Sequence, residues 1–132
     1  MNSVYAVVKS MFQNLIFVML GGAVGAALRY LVGLCCAQWS TNAFPFSTLI
    51  VNVLGCFLLG ILCSLGERYT DFGNTSAYLM LSVGLCGAFT TFSTFSADTI
   101  RLMDSGHFFL ALLYLLVSIL AGFLLFYLGR KI

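Results

Sequence analysis

Four long apolar runs separated by short polar stretches divide the chain. A helix that crosses a bilayer needs about 20 mainly apolar residues, and runs of that kind cover residues 15–37, 46–65, 76–103 and 108–128. The pattern predicts an all-α integral membrane protein: one transmembrane domain over residues 1–132 with four spanning helices.

The polar positions inside these runs differ from span to span. In the first, Gly21, Gly22, Gly25 and Ala26 put small residues at a spacing of four, which lets a neighbouring helix approach closely. Arg29 interrupts the same run and reads either as a snorkelling side chain or as an anion-attracting vestibule group. Gln38-Trp39-Ser40 marks an interface, and Pro45 opens the second span, where its missing N–H costs nothing. There Thr48 and Asn52 stand one turn apart on a common face, followed by Gly55 and Cys56. Asn52 reads as interhelical glue or as a ligand-facing amide. In the fourth span Tyr114, Ser118 and Gly122 fall at i, i+4 and i+8, a narrow polar or small stripe on an otherwise apolar helix.

The third run is the anomalous one. From Gly84 to Ser96 it has two glycines, then five hydroxyl residues interleaved with phenylalanines. A polar group without a partner in hydrocarbon costs several kcal/mol, so these hydroxyls face protein, water or a solute. As one rod the run would be on the order of 40 Å long, beyond the roughly 30 Å hydrocarbon core. Gly84, Gly87 and the pair Thr90-Thr91 weaken its helix propensity. The third helix is therefore expected to break near its middle, at Gly87–Thr91; tilt is the alternative way to absorb the length.

Composition narrows the class. The chain has 132 residues, 61% hydrophobic and 8% charged, far below the roughly 25% charged residues of a soluble domain. Net charge is +2 and the basic residues are scattered, which gives no nucleic-acid footprint. The N-terminal run resembles a signal peptide but lacks a small-residue cleavage site before a soluble domain, so it reads as a retained span. Five cysteines cannot all pair and show no metal-ligand spacing with histidine, so they read as small packing residues. Lys9, Arg68, Arg130 and Lys131 fall on the side of the termini and Arg101 and Arg29 on the other, a modest bias toward cytoplasmic termini.

Glu67, Asp71, Asp98 and Asp104 read as lying at or beyond the span ends, leaving no embedded carboxylate for proton exchange. No nucleophile–base pair or phosphate loop appears, so an enzyme is not expected. What remains is a set of uncharged donors: Asn52, Thr91, Ser93, Thr94, Ser96, Tyr114 and Ser118. Such donors suit a small anion that must shed water yet leave quickly, because conduction needs weak sites in series. Phe92 and Phe95 share a helix side and offer positive ring edges to an anion, or form a packing stripe.

With those residues assembled, the chain closely resembles the Fluc (CrcB) family of microbial fluoride channels. The resemblance lies in Gly21-Gly22-Ala23-Val24-Gly25-Ala26-Ala27-Leu28-Arg29-Tyr30, in Phe46-Ser47-Thr48-Leu49-Ile50-Val51-Asn52-Val53-Leu54-Gly55 and, most specifically, in Gly87-Ala88-Phe89-Thr90-Thr91-Phe92-Ser93-Thr94-Phe95-Ser96. It implies an antiparallel, dual-topology homodimer in the bacterial inner membrane that exports F⁻ passively and confers fluoride resistance. It also implies a structural Na⁺ at the dimer interface, held by the backbone carbonyls of Gly87 and Thr90. The pore residues implied are Asn52, Phe92, Phe95, Ser93, Thr94, Ser96, Tyr114 and Ser118, with Arg29 in the vestibule. Gly122 stands where some relatives carry a further hydroxyl, and residues up to about Gln13 extend beyond the family pattern. The alternatives are a small dual-topology multidrug or cation transporter and a non-conducting assembly subunit.

Overall fold

The structure, a computed structural model, describes residues 2–37 and 44–132; the interfacial Gln38-Trp39-Ser40 lies outside them. All regular structure among these residues is helical. Four helical stretches are long and apolar enough to cross a membrane: Val4–Ala37, Phe46–Arg68, Ser76–Asp104 and Phe108–Lys131.

Helix α1 (Asn2–Ala37) starts well ahead of residue 15, because nothing between Val4 and Leu20 breaks a helix: the stretch holds neither glycine nor proline. Helix α2 (Phe46–Arg68) begins directly after Pro45, whose carbonyl accepts from the Leu49 amide at 3.2 Å. A single turn, α3 (Thr70–Gly73), follows. The third span opens with α4 (Ser76–Leu79), capped by the Thr75 hydroxyl accepting from the Tyr78 amide at 3.1 Å. It continues as a π-helical stretch, Met80–Cys86, and one last α turn, α5 (Gly87–Phe89). Helix α6 (Phe92–Asp104) completes that span and α7 (Phe108–Lys131) is the fourth. Gly106, at φ +79°, makes the corner between them; its amide and that of His107 bond back to the Met103 and Leu102 carbonyls, both at 2.9 Å.

Glycines decide which helices touch. On α1, a Cβ at Gly21 would run into the Met80 carbonyl and one at Gly25 into the Leu85 carbonyl, so both admit the wider π-helical stretch directly against α1. Gly84 returns the contact: its Cβ would lie 2.6 Å from the Val18 carbonyl oxygen. Gly22, beside them in sequence, faces open space. The same reciprocity joins α2 to α7, where Gly60 meets the Phe126 carbonyl and Gly129 that of Phe57. With lipid as apolar as leucine, such close backbone approach is what drives helices together. A small buried cluster of Leu102, Ala111 and Tyr114, packed against Phe44, Leu49 and Phe95, joins α6 to α7. The large apolar side chains elsewhere point outward along the helices, as spans in a bilayer require.

The contrast between Gly84 and Gly22 is directly testable. Gly84→Val is expected to destabilise the detergent-solubilised protein by about 1–3 kcal/mol through overpacking, read as a lower thermal transition. Gly22→Val leaves that transition nearly unchanged.

Candidate functional site

The break in the third span falls on two residues. Thr90 (φ −80°, ψ 161°) and Thr91 (φ −155°, ψ 118°) are both extended, whereas Gly87 is still helical at φ −63°, ψ −38°. The break thus lies at the threonine end of the expected Gly87–Thr91 window. β-Branched residues tolerate extended backbone well, and Thr91 has a second role: its hydroxyl caps α6 by accepting from the Thr94 amide at 3.2 Å.

Interrupting a helix at this depth orphans backbone groups, and α2 supplies the replacement. The Asn52 side chain accepts from the Thr91 amide at 2.7 Å through Oδ1 and donates to the Thr91 carbonyl at 3.1 Å through Nδ2. A carboxamide is a peptide group without the chain, so it satisfies both polar atoms of one residue at once. One N–H of Nδ2 is left over. Gly55, the next small residue on that face, allows the approach; a Cβ there would collide with the Thr90 side chain.

The carbonyls at the end of the first half of the span lose their helical donors in consequence, those of Gly87 and Thr90 among them. The amide four residues after Gly87 belongs to Thr91 and is bound to Asn52. The amide four residues after Thr90 belongs to Thr94 and is bound to the Thr91 hydroxyl. Gly87 itself is exposed.

Beside the break lies a cleft of about 280 Å³ lined by Asn52, Thr91 and Phe92. From Phe92, which is 79% exposed, rings step inward. Phe92 lies 5.8 Å from Phe95, and Phe95 5.1 Å from Tyr114, centroid to centroid. Ser93, Thr94 and Ser96 are exposed. Ser93 and Thr94 bond to the Thr91 hydroxyl at 3.2 and 3.1 Å, while Ser96 turns back to the Phe92 carbonyl at 3.0 Å. On α7 the Tyr114 and Ser118 hydroxyls are buried, and neither has a hydrogen-bond partner among the described residues. Two such orphans one turn apart are a costly arrangement for a membrane interior unless a solute or water meets them. The structure brings Asn52, Phe92, Phe95 and Tyr114 into one neighbourhood. Arg29 stands apart on α1, half-buried and in no ion pair with the described residues.

One expectation is corrected. Asp98 does not lie at a span end: it is 6% exposed, inside α6. Its carboxylate accepts from the Thr48 hydroxyl at 2.6 Å and from Arg101 at 2.8 Å. Helical spacing carried the signal, since Phe95, Asp98 and Leu102 share the inward face of α6 and Arg101 is one turn on. The Arg101 pairing neutralises the charge that burial would otherwise make expensive.

Four apolar spans, one broken and held open by an amide, with orphaned hydroxyls beside it, define a small multi-pass membrane protein with a polar interior seam. The chain belongs to the CrcB family: the family described as "CrcB-like protein, Camphor Resistance (CrcB)" matches residues 16–130. Curated relatives agree over nearly the full length. One from Shewanella denitrificans is 43% identical over 119 residues, 90% of this chain and 94% of the relative. Relatives from Shewanella loihica and Shewanella pealeana are 42% and 41% identical over 120 residues, 91% of this chain and 95% of each. All three are named fluoride-specific ion channel FluC.

The Asn52–Thr91 pair makes a prediction independent of transport. In Asn52→Leu, two backbone groups lose their partners at about 1–3 kcal/mol each. Hydrogen exchange at the amides of Thr91–Phe95 is expected to accelerate by more than roughly ten-fold, while α7 amides keep wild-type rates.

Proposed function

We propose that the chain is a fluoride-specific ion channel that conducts F⁻ passively through the bacterial inner membrane and so lowers cytoplasmic fluoride. The observation that carries this reading is the seam of uncharged donors around the break, above all the unpartnered Tyr114 and Ser118 hydroxyls, in a chain whose relatives bear that channel's name. It is not an enzyme; no bond is made or broken.

The physics of the seam fits a small, strongly hydrated anion. Hydroxyls and an amide replace its water one bond at a time, and none carries the full positive charge that would trap it. Asn52, with one N–H to spare, lines the cleft where Phe92 begins the ring series. Phe92 and Phe95 present ring edges, the positive rim of the quadrupole, and Ser93, Thr94, Ser96, Tyr114 and Ser118 continue the polar path. Arg29, in no ion pair with the described residues, draws anions to the vestibule by its field.

The working unit is an antiparallel homodimer. Phe92, Ser93, Thr94 and Ser96 are exposed in the single chain, and a hydroxyl face of that kind is unstable against lipid; a second copy covers it. The weak charge bias is compatible with insertion in both orientations. A structural Na⁺ fits the same interface. The Gly87 and Thr90 carbonyls, deprived of helical donors, are hard oxygen ligands, and two copies together offer four. The cation neutralises their lone pairs and is not transported.

The competing reading, a small multidrug or cation transporter, gains one point from the buried Asp98. That carboxylate is committed to Arg101 and Thr48, which is the opposite of a free proton exchanger, and the reading is not favoured.

The test is fluoride efflux from proteoliposomes followed with a fluoride-selective electrode. The wild-type chain is expected to release fluoride rapidly with chloride retained. Phe92→Ile is expected to slow release by roughly ten-fold or more, the effect of about 1.4 kcal/mol on the barrier. Unchanged release in both Phe92→Ile and Phe95→Ile removes the rings from the mechanism; proton-dependent drug uptake in place of fluoride release restores the competing reading.

A further inference from the structure

The stripe on α7 runs out of donors. Tyr114 and Ser118 end in buried hydroxyls without partners among the described residues, and the next position on that side is Gly122, which has no side chain. What stands across from it is Cys56 of α2: a Cβ placed on Gly122 would lie 3.6 Å from Sγ, an ordinary contact. Cys56 is one turn beyond Asn52 and on the same face. It also lines two clefts. One is the cleft of Asn52, Thr91 and Phe92 beside the break; the other, about 400 Å³, holds Ser118, Gly122 and Phe123. Cys86 lines only the first of these and is almost wholly buried, at 2% exposure.

We propose that the Cys56 thiol is a donor on the fluoride path, bridging Asn52 to Ser118 and standing in from α2 for the donor that Gly122 lacks. The inference rests on the fluoride-conducting reading above. The thiol suits the place because S–H is a weak donor, and a weak site binds an anion without holding it. Its nearness to the orphaned Ser118 hydroxyl gives the anion two donors from facing helices, where either helix alone offers one.

Two substitutions of nearly equal volume separate donor from packing. Cys56→Ala removes the S–H at nearly the volume of serine, and is expected to slow fluoride efflux by roughly ten-fold, the order of one hydrogen bond lost on the barrier. Cys56→Ser keeps a donor and is expected to conduct within about two-fold of wild type on the same scale, with both variants eluting and melting like wild type. Independently, methyl methanethiosulfonate converts Cys56 to its methyl disulfide, verified by peptide mass. Efflux through wild type is then expected to fall and to return on reduction with dithiothreitol, while Cys56→Ser conducts throughout. Wild-type conduction in Cys56→Ala, or unimpaired efflux from wild type with Cys56 fully modified, overturns the proposal. Should Cys56→Ala fail to fold, the modification arm decides alone. A wild-type chain that releases no fluoride at all refutes the underlying reading instead, so the two failures are distinct.

Discussion

A side-chain amide standing in for a missing stretch of helix is the constraint on which the structure depends. Membrane interiors offer no water to an interrupted backbone, so a two-residue break at Thr90–Thr91 survives only because Asn52 bonds both the amide and the carbonyl of Thr91. Everything distinctive nearby follows from that pair. Gly55 must be small to let Thr90 in, Thr91 must carry a hydroxyl to start α6, and the Gly87 and Thr90 carbonyls lose their usual donors. The break is a built junction between α2 and the third span.

The remainder of the fold serves to hold that junction at a fixed depth. Backbone-to-backbone contacts through Gly21, Gly25 and Gly84 fasten the first half of the third span to α1, and Gly60 with Gly129 fasten α2 to α7. The π-helical stretch Met80–Cys86 brings its carbonyls against the α1 glycines; such widened turns often accompany functional sites. On the far side of the break, Asp98 ties α6 to Thr48 of α2 and is paired with Arg101. Asn52 and Thr48, one turn apart, therefore anchor the break and the helix beyond it from one face of α2.

Much of this was legible before any coordinates. The excess of hydroxyls and glycines in an apolar run announced a break, since lipid-facing sequence has no use for them, and the i, i+4 spacing of Thr48 and Asn52 placed both on one face. The exact seat of the break was less accessible: glycine is the habitual suspect, yet Gly87 stays helical and two threonines extend. Local propensity cannot see a cross-helix amide, and that amide decides the matter. Asp98 was misread because charge was judged by distance from a span end and not by the face it occupies. Helix α1 runs further toward the N-terminus than the apolar run from residue 15, because helix formation requires only that nothing interrupt it.

The interrupted helix can be measured directly in lipid. Solid-state NMR of the chain in bilayers, labelled with ¹³C and ¹⁵N at threonine and asparagine, reports backbone conformation through the Cα and Cβ shifts of Thr90 and Thr91 and proximity through transfer between Asn52 Nδ2 and the Thr91 carbonyl carbon. Extended shifts at both threonines, helical shifts at Thr94, and a strong Asn52–Thr91 transfer are the predicted result. Helical shifts at Thr90, Thr91 and Thr94 together, with no such transfer, would contradict the account, because an unbroken rod leaves Asn52 nothing to replace.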